Sequence, residues 1–227
     1  MHKQEFLRRV RAAAETGRAY RVAPTAAVSP AAGYVGGGEN LCARFAHEVN
    51  AVGGFAHHTH SEAELRGVLT RLLAERAARS ALCWQHPLLE RLDIAALLRQ
   101  AAVEVCDYAT LARQPPSEQR AKMLAADIGV TSATYAIAET GSLAMASQSG
   151  RERAASLFPP VHLAIVERSQ ILPDLFDLFQ KLDADGSAAI ATNLTLITGP
   201  SKTGDIELQL TTGVHGPGVW HVLIGDW

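Results

Sequence analysis

The sequence predicts an α/β fold, with a mainly parallel sheet covered by helices on both faces. Short apolar runs such as FAHHT, ALCW, VHLAIVE and VWHVLIG have the length and composition of buried strands. Stretches with apolar residues at helical spacing separate many of them, as in Leu65, Val68, Leu69, Leu72 and Leu73. Glycine and proline punctuate the boundaries. Strands alternating with helices in this way form a sheet buried on both sides.

Each element follows from its local pattern. Residues 3–15 predict an amphipathic helix with Phe6 and Val10 on one side. Residues 20–38 carry two prolines and four glycines, so an extended arm is expected there. A helix follows at about 39–52, then Gly53-Gly54 and the strand FAHHT. Ser61 and Glu64 have capping-box spacing at the start of the next helix. Strand ALCW, a helix across Pro87 to Gln100 and strand VEVCD come next. After Pro115-Pro116, Ser117 is the expected N-cap of a helix running towards Ile128. TYAIAETGSLAMAS predicts two strands around a Glu-Thr-Gly-Ser turn. VHLAIVE is a strand, and Leu172–Leu182 a helix whose Phe176 and Phe179 are expected in the core. NLTLIT and VWHVLIG are the last strands. The predicted organisation is an N-terminal helix and arm over 1–38 and one α/β domain over 39–227.

Composition removes several functions. With 48% hydrophobic residues, 19% charged residues and a formal net charge of -2, the chain lacks the basic surface of a nucleic-acid binder. No run approaches the ~20 apolar residues of a membrane-spanning helix. The opening MHKQEFLRRVRAAAE lacks the apolar stretch of a signal peptide. A cytoplasmic location without membrane insertion is expected. Cys42, Cys83 and Cys106 are widely separated, and Cys83 and Cys106 read as buried small hydrophobes. No C-x-x-C pair offers ligands for zinc or an iron–sulfur cluster. HHTH, His57 to His60, puts His58 and His60 on one face of a strand. No neighbouring cysteine completes a set, so no metal site and no cofactor are expected.

The chemistry-bearing stretch is TGPSKTGDIE. Gly199 and Gly204 have the glycine separation of a P-loop, but Asp205 stands where that motif needs lysine. A carboxylate there repels a triphosphate. No predicted strand leads into G-x-G-x-x-G either. A smaller anion site is the remaining reading. Gly199 and Gly204 let amides turn inward, Ser201 and Thr203 add hydroxyls, and Lys202 adds positive charge. A carboxylate or monophosphate suits that set. The glycine-rich TTGVHGPG follows, and its His215 can exchange protons near neutral pH. The two loops are expected to meet at one end of the sheet. Glu139, in the IAETGS turn, is a candidate general base or nucleophile.

Taken in order, DIGVTSATYAIAETGSLAMAS, PPVHLAIVE and TGPSKTGDIELQLTTGVHGPGVWHVLIGD resemble the LUD-domain family, also called lactate-utilisation protein C or YkgG-like proteins. The resemblance is strongest over about residues 118–226. It implies a sheet of the NagB/RpiA/CoA-transferase-like type. It also implies a part in oxidising L-lactate to pyruvate within a multi-protein iron–sulfur system. Lacking cysteine clusters, this chain would hold no redox centre and would need iron–sulfur partner proteins. The setting of Glu139 resembles that of the CoA-transferase glutamate. The alternative is a stand-alone transferase or isomerase that binds CoA or a sugar phosphate.

Overall fold

The computed structural model describes residues 3–18, 36–184, 191, 193–204 and 210–227. The chain divides into two compact units, residues 1–34 and 35–227. The first contributes α1 (Lys3–Arg18), where Arg8 pairs with Glu5 at 2.8 Å and Phe6, Leu7 and Val10 are exposed.

The second unit begins with α2 (Leu41–Ala51), β1 (Phe55–Thr59), α3 (Glu62–Glu75) and β2 (Ser80–Cys83). It continues through α4 (Pro87–Arg91), α5 (Ile94–Gln100), β3 (Glu104–Cys106), α6 (Tyr108–Leu111), α7 (Pro116–Ala125) and β4 (Ile128–Thr131). Then come β5 (Tyr135–Ile137), β6 (Ser142–Ala146), α8 (Ala154–Leu157), β7 (Val161–Glu167), β8 (Ile171–Leu172) and α9 (Leu175–Ala184). The last described strands are β9 (Leu194–Ile197), β10 (Lys202–Gly204), β11 (Leu210–Thr212) and β12 (Val219–Gly225).

Six strands form one all-parallel sheet in the order β1-β12-β7-β4-β2-β3. Parallel strands covered on both faces read as continuous apolar runs rather than alternating ones. Accordingly β4 is buried throughout, and β7 and β12 each expose only one end, in part. Neighbouring residues of β12 show the two covering layers. Gly54 lies between the Trp220 ring and Val49 of α2, whereas His221 faces Arg76 at the end of α3. Since adjacent strand residues point to opposite faces, α2 and α3 cover opposite sides.

A second sheet, β8-β5-β6-β9, packs against α2 through β8. Helix α2 therefore lies between the two sheets. Asn40 starts it by accepting the Ala43 N–H at 3.0 Å. Leu178 of α9 closes the second sheet with Ile137, Ala144 and Leu172.

Five local expectations change. The helix expected from Leu172 starts at Leu175, and Ile171–Leu172 is instead a short strand paired with β5. The helix expected to run towards Ile128 ends at Ala125, and Ile128–Thr131 is an inner strand of the main sheet. Four residues are too few for strand periodicity to stand out after a helical run. That helix starts at Pro116 rather than after Ser117, because a proline in the first turn lacks an N–H that would need a partner. The Pro87–Gln100 segment is two helices, separated at Asp93 with φ 50°. Phe176 and Phe179 are 64% and 59% exposed rather than core. Leu175, Leu178 and Leu182 occupy the inward stripe of α9, which turns those two rings outward.

Close approach makes β4 sensitive. A Cβ on Gly129 would lie 1.6 Å from the Ala155 carbonyl oxygen of α8. Gly129→Ala should therefore lower unfolding free energy by about 1–3 kcal/mol in a denaturant titration, through overpacking. An unchanged midpoint and slope would show that α8 moves freely.

His162 on β7 is fully buried against the Thr131 hydroxyl at 2.8 Å, and burial pushes its pKa from 6.5 to about 3. The unfolded chain binds a proton that the folded protein refuses between those values, so stability falls as pH drops through this window. The unfolding free energy should decline from pH 7 towards pH 4. The slope should be shallower in His162→Gln by up to about 1.4 kcal/mol per pH unit. Parallel slopes for the two proteins would remove His162 from the acid response.

Candidate functional site

The motifs singled out in the sequence converge on α2. The β5–β6 turn is Glu139-Thr140-Gly141-Ser142, and Gly141 has φ 65°. A Cβ there would lie 2.6 Å from the backbone of Glu48 and Val49, so only glycine lets the turn touch the helix. Thr140, Ser142 and Thr198 form a hydroxyl chain, with Oγ–Oγ distances of 2.7 and 2.6 Å, that joins this turn to the Gly199 loop. Gly199, at φ 85°, approaches the Val52 carbonyl, and Lys202 Nζ donates to that same oxygen at 2.6 Å. Val52 is the C-cap of α2. Its carbonyl lies at the negative end of the helix dipole, where an ammonium is favourable.

The two glycine-rich loops do meet. The Ser201 N–H donates to the Pro217 carbonyl, and the Gly213 N–H donates to the Ser201 carbonyl, each at 2.9 Å. Thr203 and Gly204 lie in β10, which pairs with β11. His215 is exposed between Gly213 and Gly216. Glu139 is half-buried, and its N–H donates to the Pro173 carbonyl at 3.0 Å. Asp205 lies outside the described residues. The junction sits where the chain enters β1 and β12, at the amino ends of the main sheet.

Ligands of open α/β sheets favour the carboxyl ends, near the point where strand order reverses. Here that point lies between β2 and β4, since β2 connects outward to β3 and β4 connects the other way to β7. Beside it, at the ends of β2 and β3, is a cavity of about 310 Å³ whose lining includes Cys83, Trp84, Gln85, Arg99 and Asp107.

The carboxyl ends of β1 and β12 carry a polar cluster. His58 Nε2 is 3.0 Å from Asp226 Oδ2, and Arg168 Nη1 donates to Asp226 Oδ1 at 2.9 Å. Cys42, in the first turn of α2, places its Sγ within 4.8 Å of both the His58 and Asp226 ligand atoms. Burial, then the Asp226 charge, pushes the Cys42 thiol up to about 11. Burial raises Asp226, but hydrogen bonds from His58, Arg168 and Cys42 outweigh it and hold the carboxyl below its ordinary value. The His60 ring tilts against His58, with centroids 4.6 Å apart. Next along the edge, Glu167 pairs with Arg91, which also donates to Glu62 at 3.0 Å.

Sequence alternation places His58 and His60 on a common face, and their rings do lie against each other there. Cys42 and Asp226 were missed. Neither has a ligand-like neighbour in sequence, and chain crossover alone brings them to His58.

The ammonium contact has a measurable consequence. Lys202→Met removes the cap on α2 and should cost about 0.3–1 kcal/mol of stability at low ionic strength, less in high salt. Equal denaturant midpoints for both proteins at low salt would show that the contact contributes nothing.

This chain resembles known proteins over most of its length. The LUD domain family profile matches residues 42–224. Lactate utilization protein C of Halalkalibacterium halodurans is 30% identical over 155 residues, covering 67% of this chain and 65% of that protein. The protein of that name from an Exiguobacterium species is 38% identical over 115 residues, or 49% and 50% of the two chains. The uncharacterized protein YkgG of Escherichia coli is 34% identical over 160 residues, covering 69% and 67%. The matched stretch thus spans less than two thirds of the length of the first two relatives. A crystal structure of a DUF162 family protein from Deinococcus radiodurans shares the fold, with TM-score 0.57 and 21% identity over 81% of this chain and 94% of that one.

Proposed function

The chain belongs to the LUD domain family, and from that premise we propose that it supports oxidation of L-lactate to pyruvate together with iron–sulfur partner proteins. The Halalkalibacterium and Exiguobacterium relatives are named lactate utilization protein C, which supports the lactate part of this reading. They do not favour a stand-alone transferase or isomerase. The chain contributes no cluster of its own in this reading. Its three cysteines, Cys42, Cys83 and Cys106, are fewer than the four ligands such clusters ordinarily take, and each is a buried free thiol. Free thiols also suit a reducing cytoplasmic compartment. Among the described residues, no helix is long and apolar enough to cross a membrane.

The reading assigns a small carboxylate or phosphate to the loop Gly199, Ser201, Lys202, Thr203, Gly204 and Asp205, with His215 and Glu139 as candidate proton-transfer groups. What supports it is the hydrogen bonding of the two glycine loops to each other at Ser201. An ammonium has three donors, and the Val52 carbonyl takes one from Lys202.

Two measurements check the proposal. Deleting the gene should impair growth on L-lactate as sole carbon source and spare growth on pyruvate. Equal growth of mutant and parent on L-lactate, in a host without another lactate oxidase, would reject the role. Calorimetric titration with lactate, pyruvate, phosphate and CoA should show a ligand that Lys202→Ala binds roughly tenfold to a hundredfold more weakly, as for a lost charge-assisted hydrogen bond. Equal binding by both proteins would leave the loop as a turn and helix cap.

A further inference from the structure

The cluster at the carboxyl ends of β1 and β12 has the composition of a metal site rather than of a packing contact. It combines a thiol, an imidazole and a carboxylate, each from a different element: Cys42 from α2, His58 from β1, and Asp226 from the residue after β12. One ligand atom from each lies within 4.8 Å of the other two. The donors of a tetrahedral zinc site lie about 3.3–3.6 Å apart, given zinc bonds of about 2.0–2.3 Å. His58 and Asp226 already approach to 3.0 Å, so closing the set takes a shift of about 1 Å at the thiol.

The geometry points to a divalent transition-metal site, of the zinc class, held by Cys42 Sγ, His58 Nε2 and Asp226 Oδ2. A mixed sulfur, nitrogen and oxygen set suits a borderline-soft cation, whereas calcium and magnesium require oxygen ligands. The surroundings support the ligands in the usual way. Arg168 holds the other carboxylate oxygen at 2.9 Å and fixes its orientation. The backbone holds the arms in place, because the Asp226 N–H donates to the Thr59 carbonyl at 2.9 Å. Cys42 is 1% exposed, while the side chains of His58 and Asp226 are 27% and 15% exposed. The thiol thus forms the floor and the other two ligands reach solvent. This leaves an outer position for water or a substrate oxygen, as in catalytic rather than closed structural sites. Charge is balanced: thiolate and carboxylate together neutralise a divalent ion, and binding a metal through a cysteine releases the thiol proton.

The inference is independent of the lactate reading and is tested without an activity assay. Chelator-treated protein, shown by circular dichroism to remain folded, is titrated with Zn²⁺ against a chromophoric chelator, and separately with Co²⁺. The wild type should take up one equivalent of zinc and show a thiolate-to-cobalt charge-transfer band. Cys42→Ser should lose that band and bind zinc about tenfold or more weakly. His58→Gln should weaken zinc binding similarly while keeping the band. His47→Ala, at an exposed histidine of α2, should behave as wild type. If folded wild type takes up no stoichiometric zinc, or if Cys42→Ser and His58→Gln both bind it as tightly as wild type, the cluster is a hydrogen-bonded contact and the site does not exist.

Discussion

The structure depends on how closely helix α2 can be approached. It lies between a six-stranded parallel sheet and a smaller mixed sheet, and its Phe45 and Val49 are fully buried. Two turns of the chain touch it with no side chain between. Gly141 lies against the Glu48–Val49 backbone, and Gly199 against the Val52 carbonyl. Both have positive φ, so any other residue would meet a collision and a strained backbone together. The carbonyl that closes the helix then accepts Lys202. The most distinctive sequence motifs of this chain are thus, in part, the means by which one helix is seated.

Seating α2 has consequences at both of its ends. Its carboxyl end lies beside the paired glycine loops, at the amino ends of β1 and β12. Its first turn delivers Cys42 to the opposite edge, where His58 and Asp226 wait. The helix therefore spans the sheet between two polar centres of different character. One is built from backbone, hydroxyls and an exposed ammonium. The other is built from titratable side chains tied to Arg168. A proton or metal ion has more to interact with at the second centre, and a small anion more at the first.

Histidine placement follows the same alternation. His57 turns to the α3 face, where its Nε2 is 3.1 Å from His221 Nδ1 and burial pushes His221 down to about 4. His58 turns to the α2 face and meets a carboxylate instead. Adjacent residues of one strand thus have opposite electrostatic surroundings, and a four-residue string of histidine and threonine divides its chemistry between two faces.

The sequence by itself determined the class of the fold, because alternating apolar strands and amphipathic helices are local patterns with fixed periods. It also determined the family, through IAETGS, GPSKTGDIE and GVHGP in order, and the shared face of His58 and His60. Ile128–Thr131 escaped it because four buried residues carry no period, and Phe176 and Phe179 because hydrophobicity alone does not say which side of a helix is covered. Only the tertiary structure decided that the glycine loops meet at the amino ends of the strands, that the Lys202 ammonium reaches a helix terminus, and that Cys42 and Asp226 join His58. These are contacts between segments far apart in the chain. Their partners are chosen by strand order and helix crossing, and no spacing along the sequence encodes that.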